Sequence, residues 1–255
     1  MTATEKKIAL ITGASRGLGR SMALALAGKG VDVIGTYHSN EAEAAATAEA
    51  VAGLGGKAVM LRLDTGAVAS FPAFAEEMAG ALARDWGRER FDFLVNNAGI
   101  GHHAAFTETR EEDFDRLMTV HFKGVFFLIQ AMLPLINDGG RIMNISSGLT
   151  RFSFPGYSAY AAMKGAVEVL TRYLAKELGA RGIAVNTLAP GAIETDFGGG
   201  RVRDNKDLNA LIASVTALGR AGVPDDIGPA VAALLMEDNR WVNGQRIEVS
   251  GGMFV

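Results

Sequence analysis

The chain has 255 residues, with 25 lysines and arginines against 28 aspartates and glutamates, and no cysteine. A formal net charge of −3 without a basic run gives nucleic-acid binding no electrostatic support. The absent thiols exclude disulfides, thiolate catalysis and thiolate metal sites, and they fit a reducing, cytoplasmic setting.

At this length and 49% hydrophobic content, residues 1–255 are expected to form a single domain with a full core. Residues 2–7 lead into an apolar run too short for a signal peptide. A short strand is expected over 7–11, followed at once by Thr12-Gly13-Ala14-Ser15-Arg16-Gly17-Leu18-Gly19 and a helix over 20–27 that stops near Gly30. Next come a strand over 31–36, an Ala/Glu-rich helix over 41–54 and a strand over 57–63 that ends in Asp64-Thr65. A helix over 68–86 carries Pro72 in its first turn, and a strand over 91–95 ends in Asn96-Asn97-Ala98-Gly99.

A long helix is expected over 111–135. Its apolar stretch, 125–136, contains Gln130 and Pro134 and is too short to span a bilayer, so no membrane partner is expected. The fifth strand, 140–145, leads to Ser147 and a helix through Tyr160 to about 178; the sixth strand covers 183–188. Residues 189–205 read as a glycine-rich, charged loop, helices follow near 208–217 and 224–236, and a last strand covers 246–249. Strands alternating with helices specify an α/β chain with a parallel sheet covered on both faces. The one long irregular stretch suits a lid, so a substrate loop is placed at about 190–216.

Gly13-x-x-x-Gly17-x-Gly19 lies between a strand and a helix, where glycines let backbone approach a pyrophosphate and a helix N-terminus offers unpaired N–H groups. The end of the second strand, Gly35-Thr36-Tyr37-His38-Ser39-Asn40, has no acid to bond a ribose 2′-hydroxyl, and Arg16 sits in the glycine loop on the same side. Hydroxyl and amide groups beside a guanidinium suit a 2′-phosphate, which favours NADP(H) over NAD(H).

Tyr160 and Lys164 lie four apart, on one face of a helix. An ammonium about 4 Å from a phenol favours the phenolate by about 4 kcal/mol at an effective dielectric of about 20, enough to lower its pKa by up to about 3 units, with burial opposing. Ser147 would hold a substrate oxygen beside that phenol. His102 and His103 lack a third ligand at metal-binding spacing, so no metal site is expected. They read as a loop at the mouth of a substrate pocket. Phe152, Phe154 and Tyr157 read either as the opposite wall or as plain loop packing.

The chain resembles the short-chain dehydrogenases/reductases over essentially all its length. The resemblance rests on Thr12-Gly13-x-x-x-Gly17-x-Gly19, Asp64, Asn96-Asn97-Ala98-Gly99, Ser147 with Tyr160-x-x-x-Lys164, and Pro190-Gly191. It implies a Rossmann-type doubly wound sheet of about seven parallel strands. It also implies Ser147 as binder of the substrate oxygen, Tyr160 as general acid/base, and Lys164 as ribose ligand and modulator of the tyrosine. Gly13, Ser15, Arg16, Gly17, Leu18, Gly19, His38, Ser39 and Thr65 would hold the cofactor. Asp64 would bond the adenine, Asn97, Ala98 and Gly99 would line the adenosine side, and Pro190, Gly191, Ile193 and Thr195 would frame the nicotinamide. The implied reaction moves a hydride between NADP(H) and a carbonyl or secondary alcohol on a small molecule, either a 3-oxoacyl thioester or a small ketone or polyol. The alternative is a catalytically silent NADP(H)-binding sensor, which has no need of the complete Ser147/Tyr160/Lys164 set.

His121 stands where the family usually has an asparagine whose backbone carbonyl holds a relay water. The favoured reading keeps that backbone role, so that His121→Asn is almost silent; the other reading puts the imidazole in the relay. Arg201, Arg203 and Lys206 either meet an acidic substrate or form a solvated lid face. The long helix carries Phe122, Val125, Phe126, Ile129 and Met132, and the Tyr160 helix carries Ala161, Ala162, Gly165 and Ala166. The resemblance implies that these helices pair across a two-fold axis in a homotetramer.

Overall fold

The computed structural model describes residues 6–255; the reading that involved residues 2–5 lies outside them. Seven strands form one parallel sheet in the order β3-β2-β1-β4-β5-β6-β7. They are β1 (Ile8–Ile11), β2 (Asp32–Tyr37), β3 (Ala58–Arg62), β4 (Phe91–Asn96), β5 (Ile136–Ile145), β6 (Ala184–Pro190) and β7 (Arg246–Val249). The order reverses between β1 and β4, and the crevice beyond the carboxyl ends of those strands is where such sheets bind ligands.

The β1 sequence, Ile-Ala-Leu-Ile, is apolar throughout because both faces of its strand are covered. Alternate side chains feed opposite cores. Ile8 and Leu10 join Phe74, Met78, Leu128 and Met132 on one face. Ala9 and Ile11 join Met22, Leu26, Ile227 and Val231 on the other. The first face is covered by α3 (Phe71–Trp86), α4 (Glu111–Met118), α5 (Gly124–Met132) and α6 (Ser158–Glu177). The second carries α1 (Gly17–Ala27), α2 (Glu41–Gly53) and α9 (Pro224–Leu235). Between β6 and α9 lie α7 (Arg201–Asp204) and α8 (Lys206–Ser214).

Four local features depart from the sequence reading. The helix expected at 20 begins at Gly17, inside the glycine motif, so its first N–H groups face the crevice. Residues 68–70 form a 3₁₀ turn before α3 starts at Phe71. The helix expected as one rod over 111–135 is interrupted by a π-turn, Thr119–Lys123, in which the Gly124 N–H reaches back to the Thr119 carbonyl. Strand β5 starts at Ile136 rather than 140, and its register against β4 shifts between Phe91 and Phe93 while Gly139 takes φ of +76°. By length and composition the run from Glu111 to Leu135 could cross a bilayer, but here Leu117, Leu128, Ile129 and Met132 are buried against the rest of the chain.

Candidate active site

The carboxyl ends of the strands surround a cleft of about 1250 Å³. One end is built from the glycine loop. Gly13 (φ +67°) and Gly17 (φ +54°) occupy left-handed conformations that side chains resist. A Cβ on Gly17 would meet nothing nearer than Thr195 at 3.7 Å, so the start of α1 stands open to the cleft. Gly19 differs: it does not line the cleft, and a Cβ there would collide with the Gly13 carbonyl. Glycine at this position lets α1 pack closely on the loop.

Two residues fix that loop to β4. The Thr12 hydroxyl accepts from the Asn97 and Ala98 N–H groups, both at 3.0 Å, and the Asn97 amide donates to the carbonyls of Thr12 (2.9 Å) and Gly13 (3.2 Å). Thr12, which heads the glycine motif, thereby ties the loop to the end of β4. Ser15, Arg16, Leu18, His38, Ser39, Asp64 and Thr65 line this end of the cleft, together with Asn97, Ala98 and Gly99. Thr36 is buried, with its hydroxyl accepting from the Gly13 N–H at 3.2 Å, so the facing groups are those of Tyr37 to Asn40. His38 Nε2 lies 3.7 Å from the Asp64 carboxylate, which also accepts from the Gly66 N–H at 2.8 Å. Arg16 lies 3.9 Å from Glu43 and 3.5 Å from Asp196. Its guanidinium is therefore shared between α2 and the loop after β6.

The other end is built around Tyr160, in the first turn of α6. Its hydroxyl is hydrogen-bonded to Ser147 at the end of β5, and the ring is buried. Lys164, one turn further on, is buried and donates to the Ile145 carbonyl at 2.7 Å; its ammonium lies 5.7 Å from the Tyr160 ring centroid. Burial pushes the Tyr160 pKa above the ordinary phenol value, against the opposing pull of the Ser147 bond, and Tyr157 adds to the rise. Burial also pushes Lys164 down to about 8. The expected lysine-driven fall at Tyr160 is thus overturned, because desolvation of the phenolate dominates and the ammonium is engaged with Ile145.

His121 sits in the middle of the π-turn, 1% exposed. Its Nε2 is 2.8 Å from the Ile100 carbonyl and 3.2 Å from the Ile100 nitrogen, and its ring meets the Tyr160 ring edge-on at 5.1 Å. Burial and then the Lys164 charge push its pKa down to about 3, with the Ile100 carbonyl opposing. The imidazole is neutral near pH 7 and clips the loop after β4 to the helix. The side chain thus meets the Ile100 backbone through one nitrogen, which donates to the carbonyl or accepts from the N–H according to its tautomer, while Nδ1 is buried without a partner. π-Turns recur at functional positions, and this one supplies the local bend that the backbone reading required.

The pocket mouth combines the expected and the unexpected. His102 lines the cleft, but its Nε2 is buried without a partner; among the described residues no cluster of metal-binding side chains occurs. His103 meets Tyr157 edge-on at 4.9 Å, and Phe154 lies 6.3 Å from Tyr157. Phe152 lines the cleft and also packs on Phe254 at 4.8 Å. Phe197, 5.9 Å from Tyr160, together with Leu208, Ile212 and Met253, completes an apolar wall that no short motif marked. Pro190, Gly191, Ile193 and Thr195 line the middle of the cleft.

The family model for enoyl-(acyl carrier protein) reductase matches residues 13–254. A short-chain dehydrogenase/reductase of Pestalotiopsis microspora, GME11373, is 34% identical over 96% of this chain and 94% of its own length. The chain belongs to the short-chain dehydrogenase/reductase family. Among solved structures, the reductase LugOII, which catalyses keto-reduction at C1 during lugdunomycin biosynthesis, matches with TM-score 0.92 and 36% identity, covering 99% of this chain and 100% of its own. The angucycline C-6 ketoreductase LanV with bound NADP also matches with TM-score 0.92 and 36% identity, over 97% and 95%. As a family member this chain has the Rossmann-type sheet described above.

Proposed function

We propose that the chain is an NADP(H)-dependent ketoreductase. One observation carries this reading: the buried Tyr160 hydroxyl, bonded to Ser147, stands at the substrate end of a cleft whose other end is an open helix N-terminus beside Arg16. The donor set fits a phosphorylated dinucleotide. The glycine loop and the start of α1 would hold the pyrophosphate, Arg16, His38 and Ser39 the 2′-phosphate, and Asp64 and Thr65 the adenine. Pro190, Gly191, Ile193 and Thr195 would border the nicotinamide, which supplies the hydride when bound.

Ser147 and Tyr160 hold the carbonyl oxygen between two hydroxyls. Its raised pKa keeps Tyr160 protonated at neutral pH, so its Oη gives a proton to that oxygen as negative charge develops there. Lys164 places a cation behind the phenol and is fixed there by the Ile145 carbonyl. His121 holds the Ile100 loop and abuts the Tyr160 ring.

The substrate we propose is an aromatic ketone. Phe152, Phe154, Tyr157 and Phe197 favour a flat apolar body, and the LanV and LugOII neighbours are keto-reducing enzymes. Arg203 is tied to Asp196 at 2.6 Å and to Asp204 at 2.8 Å, which argues against its serving an acidic substrate. A panel of aromatic ketones and 3-oxoacyl thioesters, read by NADPH oxidation, tests the assignment. Turnover only on thioesters would move the substrate class, and no turnover on either would sink the reading. We further propose a homotetramer, supported by exposed Phe126 and Phe127 on α5 and exposed Val169 and Tyr173 on α6. Light scattering that shows a stable monomer at micromolar concentration would exclude it.

A further inference from the structure

Ser147 is held by more than its own turn. Its carbonyl lies 2.9 Å from the Thr150 hydroxyl and 3.3 Å from the Thr150 nitrogen, and it accepts from Arg246 Nη2 at 3.3 Å. Arg246 comes from β7, 99 residues away in sequence. Its Nε donates at 2.9 Å to Glu168, one turn beyond Lys164 on α6. The same Glu168 oxygen lies 2.6 Å from the Ser146 hydroxyl and 2.7 Å from the Thr150 hydroxyl. Glu168 is 13% exposed and Arg246 24%, so each charge depends on the other.

The ladder continues outward. Arg246 Nη1 donates to Glu248 at 2.9 Å, and Glu248 receives Arg151 at 2.7 and 2.8 Å. The Arg151 bond, with help from Arg246 and Ser250, holds the Glu248 carboxyl down near 2 against the opposing effect of burial. Arg151 also donates to the Met253 carbonyl (2.6 Å) and the Phe254 carbonyl (3.2 Å). Met253 lines the cleft, and Phe254, at φ +54°, is the one non-glycine among the described residues in left-handed backbone. Such a conformation persists only where its surroundings hold it. Four alternating charges therefore join the serine turn, the helix of Tyr160 and Lys164, and the tail that walls the substrate end.

We propose that the Glu168–Arg246 pair is a positioning element for Ser147, and that Glu248 and Arg151 extend it to set the serine turn against the C-terminal wall of the cleft. The proposal rests on the ketoreductase reading above. None of the four side chains touches the reacting atoms; each acts through Ser147 or the tail.

The test uses the full-length protein with NADPH and the best ketone from the panel, comparing Arg246→Met, Glu168→Gln and Ser147→Ala singly and Arg246→Met with Ser147→Ala. Arg246→Met should lower kcat about tenfold to hundredfold, the latter being what misplacing a catalytic group by about 1 Å costs, with NADPH affinity by fluorescence titration unchanged within a few-fold. In the Ser147→Ala background the same substitution should cost little more, since the group it positions is already gone. If Arg246→Met does not fold, Arg246→Lys replaces it; the lysine keeps the charge but cannot span Glu168, Glu248 and Ser147 together, and an intermediate loss is expected. Parent-like kcat in the Arg246 variant, or full additivity with Ser147→Ala, overturns the proposal while leaving the ketoreductase reading intact. A parent that turns over no ketone overturns both.

Discussion

The two ends of the cleft are built on different plans. The cofactor end is made of short turns, each close behind a strand: 12–19 after β1, 38–40 after β2, 64–66 after β3 and 97–99 after β4. The glycine loop offers backbone N–H groups, with glycine marking where backbone must come close, and Arg16, His38, Ser39 and Asp64 add side chains from the same short turns. The substrate end gathers side chains from distant segments: Tyr157 and Tyr160 at the start of α6, Phe197 beyond β6, Ile212 in α8 and Met253 in the tail. A backbone cradle can be read from a short contiguous motif, whereas a side-chain wall exists only once the chain has folded. Substitutions at the two ends should therefore fail differently, through affinity at one and through turnover or stability at the other.

The largest effect is expected at the side-chain end. Tyr160→Phe should reduce turnover by about 10²–10⁴-fold, the usual worth of a positioned general acid, while NADPH binding stays within a few-fold. Steady-state kinetics beside a cofactor titration checks both; a variant within tenfold of the parent would remove Tyr160 from the mechanism.

His121→Ala should come next, through stability. It removes the one Nε2 contact to the Ile100 backbone, at about 1–3 kcal/mol for the polar group left unpaired, and its loss of kcat should be smaller than that of Tyr160→Phe. pH gives a second handle. The folded pKa, near 3, lies below the ordinary 6.5, so in acid the unfolded chain takes a proton that the folded one refuses. The His121 contribution to stability is thus present above pH 6.5 and lost as pH falls toward 3, with a limiting slope of about 1.4 kcal/mol per pH unit. Urea titrations of parent and His121→Asn between pH 7 and pH 4 should show the steeper acid loss in the parent. The parent pH–rate profile should lack a limb near the ordinary histidine pKa; such a limb, abolished in both His121 variants, would return the imidazole to the proton relay.

At the backbone end, Arg16→Ala should weaken NADPH by about tenfold or more, as loss of a charge-assisted bond to a phosphate does, and NADH far less. Equal losses for the two would show that Arg16 does not read the 2′-phosphate. The smallest effect is expected from Asp196→Asn. Asp196 shares the Arg16 guanidinium across an exposed 3.5 Å pair, so neutralising it should tighten NADPH by no more than a few-fold, with NADH unchanged. Weakened NADPH binding would instead make Asp196 part of the cofactor cradle.

Sequence by itself determined the alternating β/α order, the parallel sheet and the position of the cleft. Continuous apolar strands, helical periodicity and left-handed glycines are local properties, and the Tyr160/Lys164 spacing puts both side chains on one face of any helix. It could not determine the balance of forces at Tyr160. That depends on how completely the fold excludes water and on where the Lys164 ammonium finds a partner, and the Ile145 carbonyl lies on another element. For the same reason His121 read as a backbone position: its two contacts to Ile100 are 21 residues away in sequence and exist only because α4, the π-turn and the loop after β4 pack together. The need for glycine at position 19 likewise follows from packing, since a Cβ there would meet the Gly13 carbonyl. The Glu168–Arg246–Glu248–Arg151 ladder was invisible for a related reason. Charges that lie between Arg151 and Glu248 in sequence form a network only once β7 is paired with β6 and the Arg246 side chain reaches Glu168 on α6, and that arrangement is a product of tertiary packing.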